Sequence, residues 1–287
     1  MSAARDGIEP GSAPRPSLYG YLTYVRGNIA AYFLFFARSP RAVVCTRSKA
    51  LPAIAALAAV IVAILLTMSW LDAWSVSVAH RLPAGLVGAF DTITDYGRSG
   101  WFLIPIGLMI VLIALVCTPS LPAMSQRVLA ALAVRLGFLF TAILLPGLVF
   151  TIVKRLIGRA RPLVGGSLDP FLYRPLHWNV EYASLPSGHA INAFAVATAL
   201  GLLWPKMRPV LWAYAVTIAA SRVALTAHYP SDVLAGAIIG VAGTVLIRSW
   251  FAARSLVFLP ASDGRIRPMS GPSFARIGRV ARQLIAP

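Results

Sequence analysis

Three short clusters of polar residues in the second half of the chain combine the residue types that phosphoryl transfer needs. They read K-x6-R-P, P-S-G-H and S-R-x5-H-x3-D. Cations can hold and neutralise phosphoryl oxygens, an imidazole can attack phosphorus or move a proton, and a carboxylate can orient an imidazole. The chemistry that suits all of these types together is transfer of a phosphoryl group. The members of the clusters are Lys154, Arg161, Pro162, Pro186, Ser187, Gly188, His189, Ser221, Arg222, His228 and Asp232.

The first cluster is a pair of cations that follows a long apolar segment. Lys154 ends this segment, and Arg161 comes after six further residues. Pro162 stops any helix there, and an arginine can donate two parallel hydrogen bonds to a phosphate. The pair therefore predicts a phosphate clamp. The alternative is that Lys154 and its neighbours Arg155 and Arg159 only extend toward lipid headgroups.

The second cluster precedes another apolar segment and predicts the start of a helix with Ser187 at its cap. Free backbone N–H groups and the helix dipole favour an anion at such a position. Gly188 would let the backbone approach the ligand closely, and His189 would lie beside a bound phosphate. The alternative is an ordinary helix cap with an incidental histidine.

The third cluster joins two more apolar segments. Arg222 lies in the last two turns of one of them, where an unused charge is costly. His228 follows that segment, and Asp232 is expected to cap the next helix. A carboxylate near one ring nitrogen of a histidine fixes the tautomer and leaves the other nitrogen free to attack. The alternative is a His–Asp pair that only holds a turn, and the residues alone do not choose between His189 and His228 as nucleophile.

The elements that must position these clusters are transmembrane helices. Hydrophobic residues make up 58% of the 287 positions and the mean hydropathy is +0.76, which predicts an all-α, polytopic membrane protein. Six segments approach the roughly 20 apolar residues that cross a bilayer. The segments are Leu51–Leu71, Trp101–Cys117, Val128–Val153, His189–Trp204, Val210–Ala227 and Val233–Phe251.

The remaining segments divide the chain into three parts. Residues 1–50 are predicted to form a cytoplasmic region, with a disordered tail over 1–17 and an aromatic interfacial helix over Leu18–Ala37. A short spanning helix is the alternative for this aromatic segment. Residues 51–253 form the predicted six-helix membrane domain, in which residues 72–100 include a short amphipathic helix on the surface. Residues 254–287 form a basic, turn-rich cytoplasmic tail.

The few other signals point to ordinary packing and an uncleaved N-terminus. The two cysteines, Cys45 and Cys117, are expected to be unpaired apolar thiols, and no metal-binding cysteine pair is present in the sequence. The first long apolar run begins near Leu51, too late for an ordinary cleaved signal peptide.

Charge predicts which face of the membrane carries the clusters. The chain has 26 Lys and Arg against 9 Asp and Glu, an excess that suggests nucleic acid in a soluble protein. These cations lie between apolar segments, so anionic lipid is the expected partner and nucleic acid is not. With six spans, most cations fall on the side of both termini, which is then cytoplasmic. All three clusters fall on the opposite, exoplasmic face of what we expect to be a bacterial-type inner membrane.

In this order and spacing, the three motifs resemble those of the PAP2 (type 2 phosphatidic acid phosphatase) superfamily. The apolar segments make the chain similar to its integral-membrane branch, rather than to the soluble acid phosphatases or vanadium haloperoxidases. The resemblance implies a double displacement that needs no metal or other cofactor. It implies that His228, oriented by Asp232, becomes a phosphohistidine and that His189 protonates the leaving oxygen. By the same resemblance, the phosphoryl oxygens are held by Lys154, Arg161, Ser187, Gly188 and Arg222.

The predicted function is hydrolysis of a lipid phosphate or pyrophosphate at the exoplasmic leaflet, with a membrane phospholipid or isoprenoid lipid as substrate. Undecaprenyl pyrophosphate, phosphatidylglycerol phosphate and phosphatidic acid are the expected types. One alternative on the same site is a lipid A phosphatase or a phosphotransferase between lipids. An alternative of another class is a transporter that binds phosphate without chemistry. Transporters place their ligand groups near the bilayer midplane, whereas these clusters lie at the ends of spans.

Overall fold

The computed structural model describes residues 17–41, 50–166, 168–261 and 263–285. The predicted disordered tail, apart from Ser17, and Cys45 lie outside the described residues. Within these ranges the chain is mainly helical, with one short β-hairpin. The helices are α1 (Leu18–Ala37), α2 (Ala50–Trp70), α3 (Asp72–Ala79), α4 (Ala84–Thr94), α5 (Gly100–Val116), α6 (Ala123–Ile157), α7 (Gly188–Leu203), α8 (Arg208–Ala224), α9 (Pro230–Ala253) and α10 (Phe274–Ile285). The antiparallel strands are β1 (Phe258–Pro260) and β2 (Ile266–Pro268).

The prediction of a helical membrane protein is confirmed, but the predicted number of spans is not. The segments long and apolar enough to cross a membrane are α2, the stretch Ala84–Val116 that joins α4 to α5, α6 and α9. Helices α7 and α8 match the fourth and fifth predicted spans but have only 16 and 17 residues. Since a perpendicular crossing takes about 20 residues, the count of six spans stays a prediction.

Helix α7 lies at the centre of the bundle, between α6, α8 and α9. Its approach to α9 is close because α9 has glycine at two positions one turn apart. A Cβ atom at Gly236 would lie 2.6 Å from the carbonyl oxygen of Ser187, and one at Gly240 would lie 2.5 Å from that of Ile191. Small residues let the backbones of membrane helices touch in this way. The starts of α7 and α9 are therefore held side by side.

The segment 72–100 forms two helices, where the sequence predicts one short amphipathic helix. The first of them is amphipathic, since Asp72 is fully buried and Val76 is 2% exposed, whereas Trp74 is 61% exposed. Helix α4 ends in Thr94, which is also buried. The position of this segment at the membrane surface stays a prediction, and the amphipathic pattern does not show that Asp72 has a buried cationic partner elsewhere in the chain.

Helix α1 has the predicted bounds and packs against the bundle. The hydroxyl of Tyr21 donates a 3.0 Å hydrogen bond to the carbonyl of Leu115. The amide of Asn28 donates to the carbonyls of Ala114 and Cys117, at 2.9 and 2.7 Å. These bonds satisfy carbonyls at the end of α5. The placement of α1 at the membrane interface stays a prediction.

The C-terminal segment is more ordered than the turn-rich tail that the sequence predicts. Phe258 on β1 is fully buried against Phe138 of α6 and Phe251 of α9. Helix α10 buries Val280 against the start of α6. Aromatic and aliphatic side chains spaced among arginines thus anchor this basic segment to the bundle, at the end opposite the polar clusters.

Candidate active site

The three polar clusters converge at one end of the helical bundle. Lys154 lies in the last turn of α6, Ser187 immediately precedes α7, and Arg222 lies in the last turn of α8. The connection from α8 to α9 carries His228, and Asp232 lies in the first turn of α9. One backbone bond ties the second cluster to the third, since Ser187 N–H donates to the carbonyl of Asp232 at 3.0 Å. Another lies within the third cluster, where His228 N–H donates to the carbonyl of Arg222 at 3.2 Å.

Three buried side-chain donors in these clusters are free of protein partners. Among the described residues, Nε of Arg161, Oγ of Ser187 and Nε of Arg222 have no hydrogen-bond partner. Buried polar atoms are nearly always paired, so three free donors at one end of the bundle indicate a ligand that accepts hydrogen bonds. Burial lowers the pKa of Arg161, partly offset by the carboxylate of Asp232. An arginine remains charged after such a shift, so the ligand that these groups suit is an anion.

Ser187 occupies the predicted cap position, but its side chain makes no capping bond. Its carbonyl accepts from the N–H of Ile191 at 3.0 Å, as the residue before a helix does, while the hydroxyl stays free. A Cβ atom at Gly188 would meet no atom within 4 Å. The start of α7 therefore presents a hydroxyl and backbone N–H groups to open space, the arrangement that binds anions at helix N-termini.

His228 and Asp232 are both buried, and Ser184 lies between them. Nδ1 of His228 is 3.7 Å from Oδ2 of Asp232, beyond a hydrogen bond, and 3.4 Å from the hydroxyl of Ser184. That hydroxyl donates to Oδ2 at 2.6 Å, and the same oxygen accepts from Tyr229 N–H at 3.0 Å. Asp232 thus caps α9, as predicted, from its third position. Burial lowers the pKa of His228, although Asp232 opposes this, and the neutral ring is therefore favoured. Since Nδ1 faces the carboxylate, Nε2 is on the opposite side of the ring.

His189 and Lys154 complete the set. His189 lies in the first turn of α7 against Gly97, where a Cβ atom would come within 2.9 Å of its ring. Arg222, Arg161 and His228 are near enough to act on it electrostatically, as is Arg98 from the connection between α4 and α5. Lys154 is likewise within electrostatic range of Arg161. Both imidazoles therefore share a region whose fixed charges are mainly positive.

Arg159 is placed differently from the lipid-facing alternative considered for it, because its side chain is fully buried. Its NH1 donates to Oδ1 of Asp232 at 2.5 Å and to the hydroxyl of Ser231 at 2.7 Å. Its NH2 donates to Oδ2 of Asp72 at 2.7 Å. Burial works to lower the pKa of Arg159, but the two carboxylates outweigh it and raise the pKa above its ordinary value. Sequence reasoning missed this network.

A second missed contact fixes Arg222, whose NH1 donates to the hydroxyl of Thr94 at 2.7 Å. The signals for these residues are weak in the sequence. Asp72 is an acid one residue past the end of a spanning helix, which is unusual but names no partner. Its partner Arg159 lies 87 residues away. The residues that sequence reasoning did not select are Asp72, Thr94, Arg159, Ser184 and Ser231.

The described residues hold no cluster of three or more His, Cys, Asp or Glu side chains arranged to bind a metal ion.

Comparison with known proteins gives consistent matches. The model of the PAP2 superfamily matches residues 135–256. The chain is 33% identical to a lipid A 1-phosphatase of Rhizobium etli over 203 residues, which cover 70% of this chain and 86% of that protein. It is 35% identical to phosphatidylglycerophosphatase B of Escherichia coli over 88 residues, 29% of this chain and 34% of that protein. Among solved structures, LpxE of Aquifex aeolicus is 22% identical, covers 62% of this chain and 95% of its own, and superposes with a TM-score of 0.44.

Proposed function

This chain belongs to the PAP2 superfamily, and on that premise we propose that it hydrolyses a lipid phosphate or pyrophosphate at the exoplasmic face of a bacterial inner membrane. The observation that carries the proposal is the group of three free donors and two imidazoles at one end of an apolar bundle. A lipid can place its headgroup there while its chains stay in the hydrocarbon. A transporter site would instead lie near the midplane.

In the first step of the proposed reaction, Nε2 of His228 attacks phosphorus. An N–P bond forms, the bond from phosphorus to the lipid oxygen breaks, and His189 gives its proton to that oxygen. Asp232 stabilises the positive charge that develops on the ring of His228, acting across Ser184 or after a small closure of the 3.7 Å gap. The lipid alcohol, or the lipid monophosphate from a pyrophosphate, then leaves.

In the second step, water attacks the phosphohistidine. His189, now neutral, takes a proton from the water, the N–P bond breaks, and inorganic phosphate is released with both histidines restored. In both transition states negative charge is spread over the three phosphoryl oxygens. The proposed partners for these oxygens are Lys154, Arg161, Ser187, the N–H of Gly188 and Arg222.

The proposal requires no metal ion, because arginine and lysine side chains supply the positive charge that a metal would otherwise bring to the phosphoryl group. We also propose that both termini of the chain lie in the cytoplasm, because most of its cations fall on that side of the predicted spans. The domain division into residues 1–50, 51–253 and 254–287 is retained as part of the proposal, with the catalytic groups all within the middle part.

For the substrate, the length of the match favours a lipid A 1-phosphate type of headgroup. Similarity to the Rhizobium lipid A 1-phosphatase extends over 86% of that protein, whereas similarity to phosphatidylglycerophosphatase B covers 34%. Phosphatidylglycerol phosphate, phosphatidic acid and undecaprenyl pyrophosphate share the phosphoryl chemistry and are the second candidates. Transfer of phosphate to another lipid would use the same histidine.

The test is a phosphate-release assay on purified protein with all four lipids, in the presence of EDTA or of added magnesium. We expect release without metal, fastest from lipid A 1-phosphate, and a loss of about 10³-fold or more in His228→Ala. The matched control is His80→Ala, because His80 is exposed and bonds only the carbonyl of Val76. Thin-layer analysis with mixed lipids separates hydrolysis from transfer. A dependence on magnesium, or full activity in His228→Ala, would contradict the mechanism.

A further inference from the structure

The buried guanidinium of Arg159 lies between two buried carboxylates, and only one of them belongs to a recognised motif. We propose that Asp72 and Arg159 are positioning residues that set the orientation and the effective charge of the Asp232 carboxylate beside His228. This inference rests on the proposed function, since it takes His228 as the nucleophile. Neither residue is assigned to the phosphoryl group itself.

The hydrogen bonds of Arg159 leave it little freedom to move. Nε donates to the carbonyl of Pro170 at 3.0 Å, NH1 donates to Asp232 and Ser231, and NH2 donates to Asp72. All three guanidinium nitrogens are therefore engaged, and Arg159 Cζ lies 4.6 Å from the ring centroid of Tyr229. A guanidinium fixed on every side is a rigid donor for the carboxylate that it contacts.

Asp72 is the residue that holds this guanidinium from the far side. Its Oδ2 accepts from Arg159 and, at 2.5 Å, from the hydroxyl of Ser231, while Oδ1 accepts from Ser231 N–H at 3.0 Å. Ser231 belongs to the first turn of α9, directly before Asp232. Asp72 thus ties the start of α3 to both Arg159 and the backbone next to the catalytic carboxylate.

The orientation of Asp232 follows from this arrangement. Its Oδ1 accepts from Arg159, so Oδ2 is turned toward Ser184 and the imidazole of His228. The bond from Arg159 to Oδ1 complements those from Ser184 and Tyr229 N–H to Oδ2, so rotation of the carboxylate out of this plane would break bonds on both oxygens. A catalytic carboxylate has to keep one oxygen aimed at the imidazole through both chemical steps.

The positive charge of Arg159 is divided between two carboxylates in this arrangement. One guanidinium is shared by two carboxylates, so Arg159 neutralises Asp232 only in part. If Asp72 became neutral, Arg159 would act on Asp232 alone, and the carboxylate would attract a proton on His228 less strongly. If Arg159 became neutral, both carboxylates would act on the ring uncompensated. The two changes must therefore move the titration of His228 in opposite directions.

The other groups that face His228 are not substituted in either variant. They are Asp232 on α9, Arg222 on α8, His189 on α7, and Arg161 and Ser184 in the connection from α6 to α7. Two of these, Arg161 and Arg222, lower the pKa of His228 alongside its burial, and Asp232 raises it. A shift seen on changing Asp72 or Arg159 therefore reports the network behind Asp232.

The experiment measures kcat/KM as a function of pH for the wild type, Asp72→Asn and Arg159→Gln. Activity is followed by the release of inorganic phosphate from a lipid phosphate that the wild type accepts. The acid limb reports protonation of the nucleophile in the free enzyme. We expect the limb to move to lower pH in Asp72→Asn and to higher pH in Arg159→Gln, each by about half a pH unit or more. We also expect kcat to fall about tenfold in each while KM changes less than threefold, since neither residue contacts substrate.

The matched control is Asp263→Asn, which makes the same chemical change in an ion pair of similar length, 2.8 Å to Arg267, but on the exposed hairpin. It should keep the wild-type profile. Acid limbs that stay at the wild-type position, or that move in the same direction in both variants, overturn the positioning role. If neither charge variant folds, Ser231→Ala decides: a fall in kcat of about fivefold at unchanged KM supports the network, and wild-type kcat overturns it.

His228→Ala separates this inference from the one on which it rests. An active His228→Ala overturns the proposed mechanism and the positioning role with it. An inactive His228→Ala together with unshifted acid limbs overturns the positioning role alone.

Discussion

Arg222 combines a structural contact with a donor that is left free for the proposed substrate. One nitrogen, NH1, is bonded to Thr94, while Nε is buried without a partner among the described residues. Thr94, which accepts this bond, lies at the end of α4, a helix that carries none of the three motifs. Since a buried guanidinium with one fixed nitrogen has fewer accessible rotamers, Thr94 is expected to aim the free nitrogen at the phosphoryl group.

Thr94→Val should therefore weaken catalysis without removing a catalytic residue. The change keeps the shape of the side chain but removes the acceptor from a buried charged donor, a loss of about 1–3 kcal/mol. We expect kcat/KM to fall about tenfold, as measured by phosphate release. The matched control is Thr92→Val on the same helix, because Thr92 is exposed and bonds only the carbonyl of Gly88. Equal activity in the two variants would contradict the role given to Thr94.

At the scale of the helices, the site depends on the close packing of α7 and α9. The free hydroxyl of Ser187 and the open position at Gly188 both belong to the start of α7. Asp232 belongs to the start of α9, and a backbone bond joins Ser187 to it. The two glycines of α9 set the distance between these helix starts, so we expect a side chain there to displace the proposed anion-binding groups from the histidines.

Gly236→Ala tests this packing. Its Cβ would lie 2.6 Å from a backbone oxygen and 2.9 Å from the Cβ of Ala190, and neither neighbour can rotate away. We expect a destabilisation of about 1–3 kcal/mol together with a loss of activity. Thermal unfolding in detergent and phosphate release measure the two effects. Gly88→Ala, where a Cβ would meet no atom within 4 Å, is the control. It should keep the activity and should not lower the stability, because alanine is the better helix former. A Gly236→Ala protein with wild-type stability would refute the tight interface.

At the scale of the whole molecule, the bundle has two ends of different chemistry. One end gathers the polar clusters, and the other carries the basic segment with α10, whose exposed side chains include Arg276, Arg279 and Arg282. Cations concentrated on one side favour its retention in the cytoplasm. The proposed orientation therefore puts α10 inside and the active site outside.

Single cysteines in a background with Cys45 and Cys117 replaced test this orientation. Trp178 lies in the connection between α6 and α7 and is 74% exposed, and Phe274 at the start of α10 is 85% exposed. In intact spheroplasts, a membrane-impermeant maleimide should label Trp178→Cys and should label Phe274→Cys only after permeabilisation. The reverse pattern would place the active site in the cytoplasm and contradict the proposal.

Much of the helical framework and of the candidate site could be predicted because its signals are local. The bounds of α1 were predicted to the residue, and the segments predicted as spans recur as helices with ends shifted by a few residues. The resemblance drawn from three short motifs is confirmed by the family match over residues 135–256. Asp72, Thr94 and Arg159 could not be found in this way, because each acts through a partner in a distant part of the chain.

The sequence by itself determined the membrane character, the family and the residue types proposed to bind the phosphoryl group, since these depend on composition and on spacing along the chain. Only the tertiary structure decided that Arg159 and Arg161, two residues apart, have different environments. The first is enclosed between Asp72 and Asp232, and the second keeps Nε free. Whether a guanidinium pairs with a buried acid or stays free for a ligand depends on what packs around it, and that is set by helices far apart in the chain.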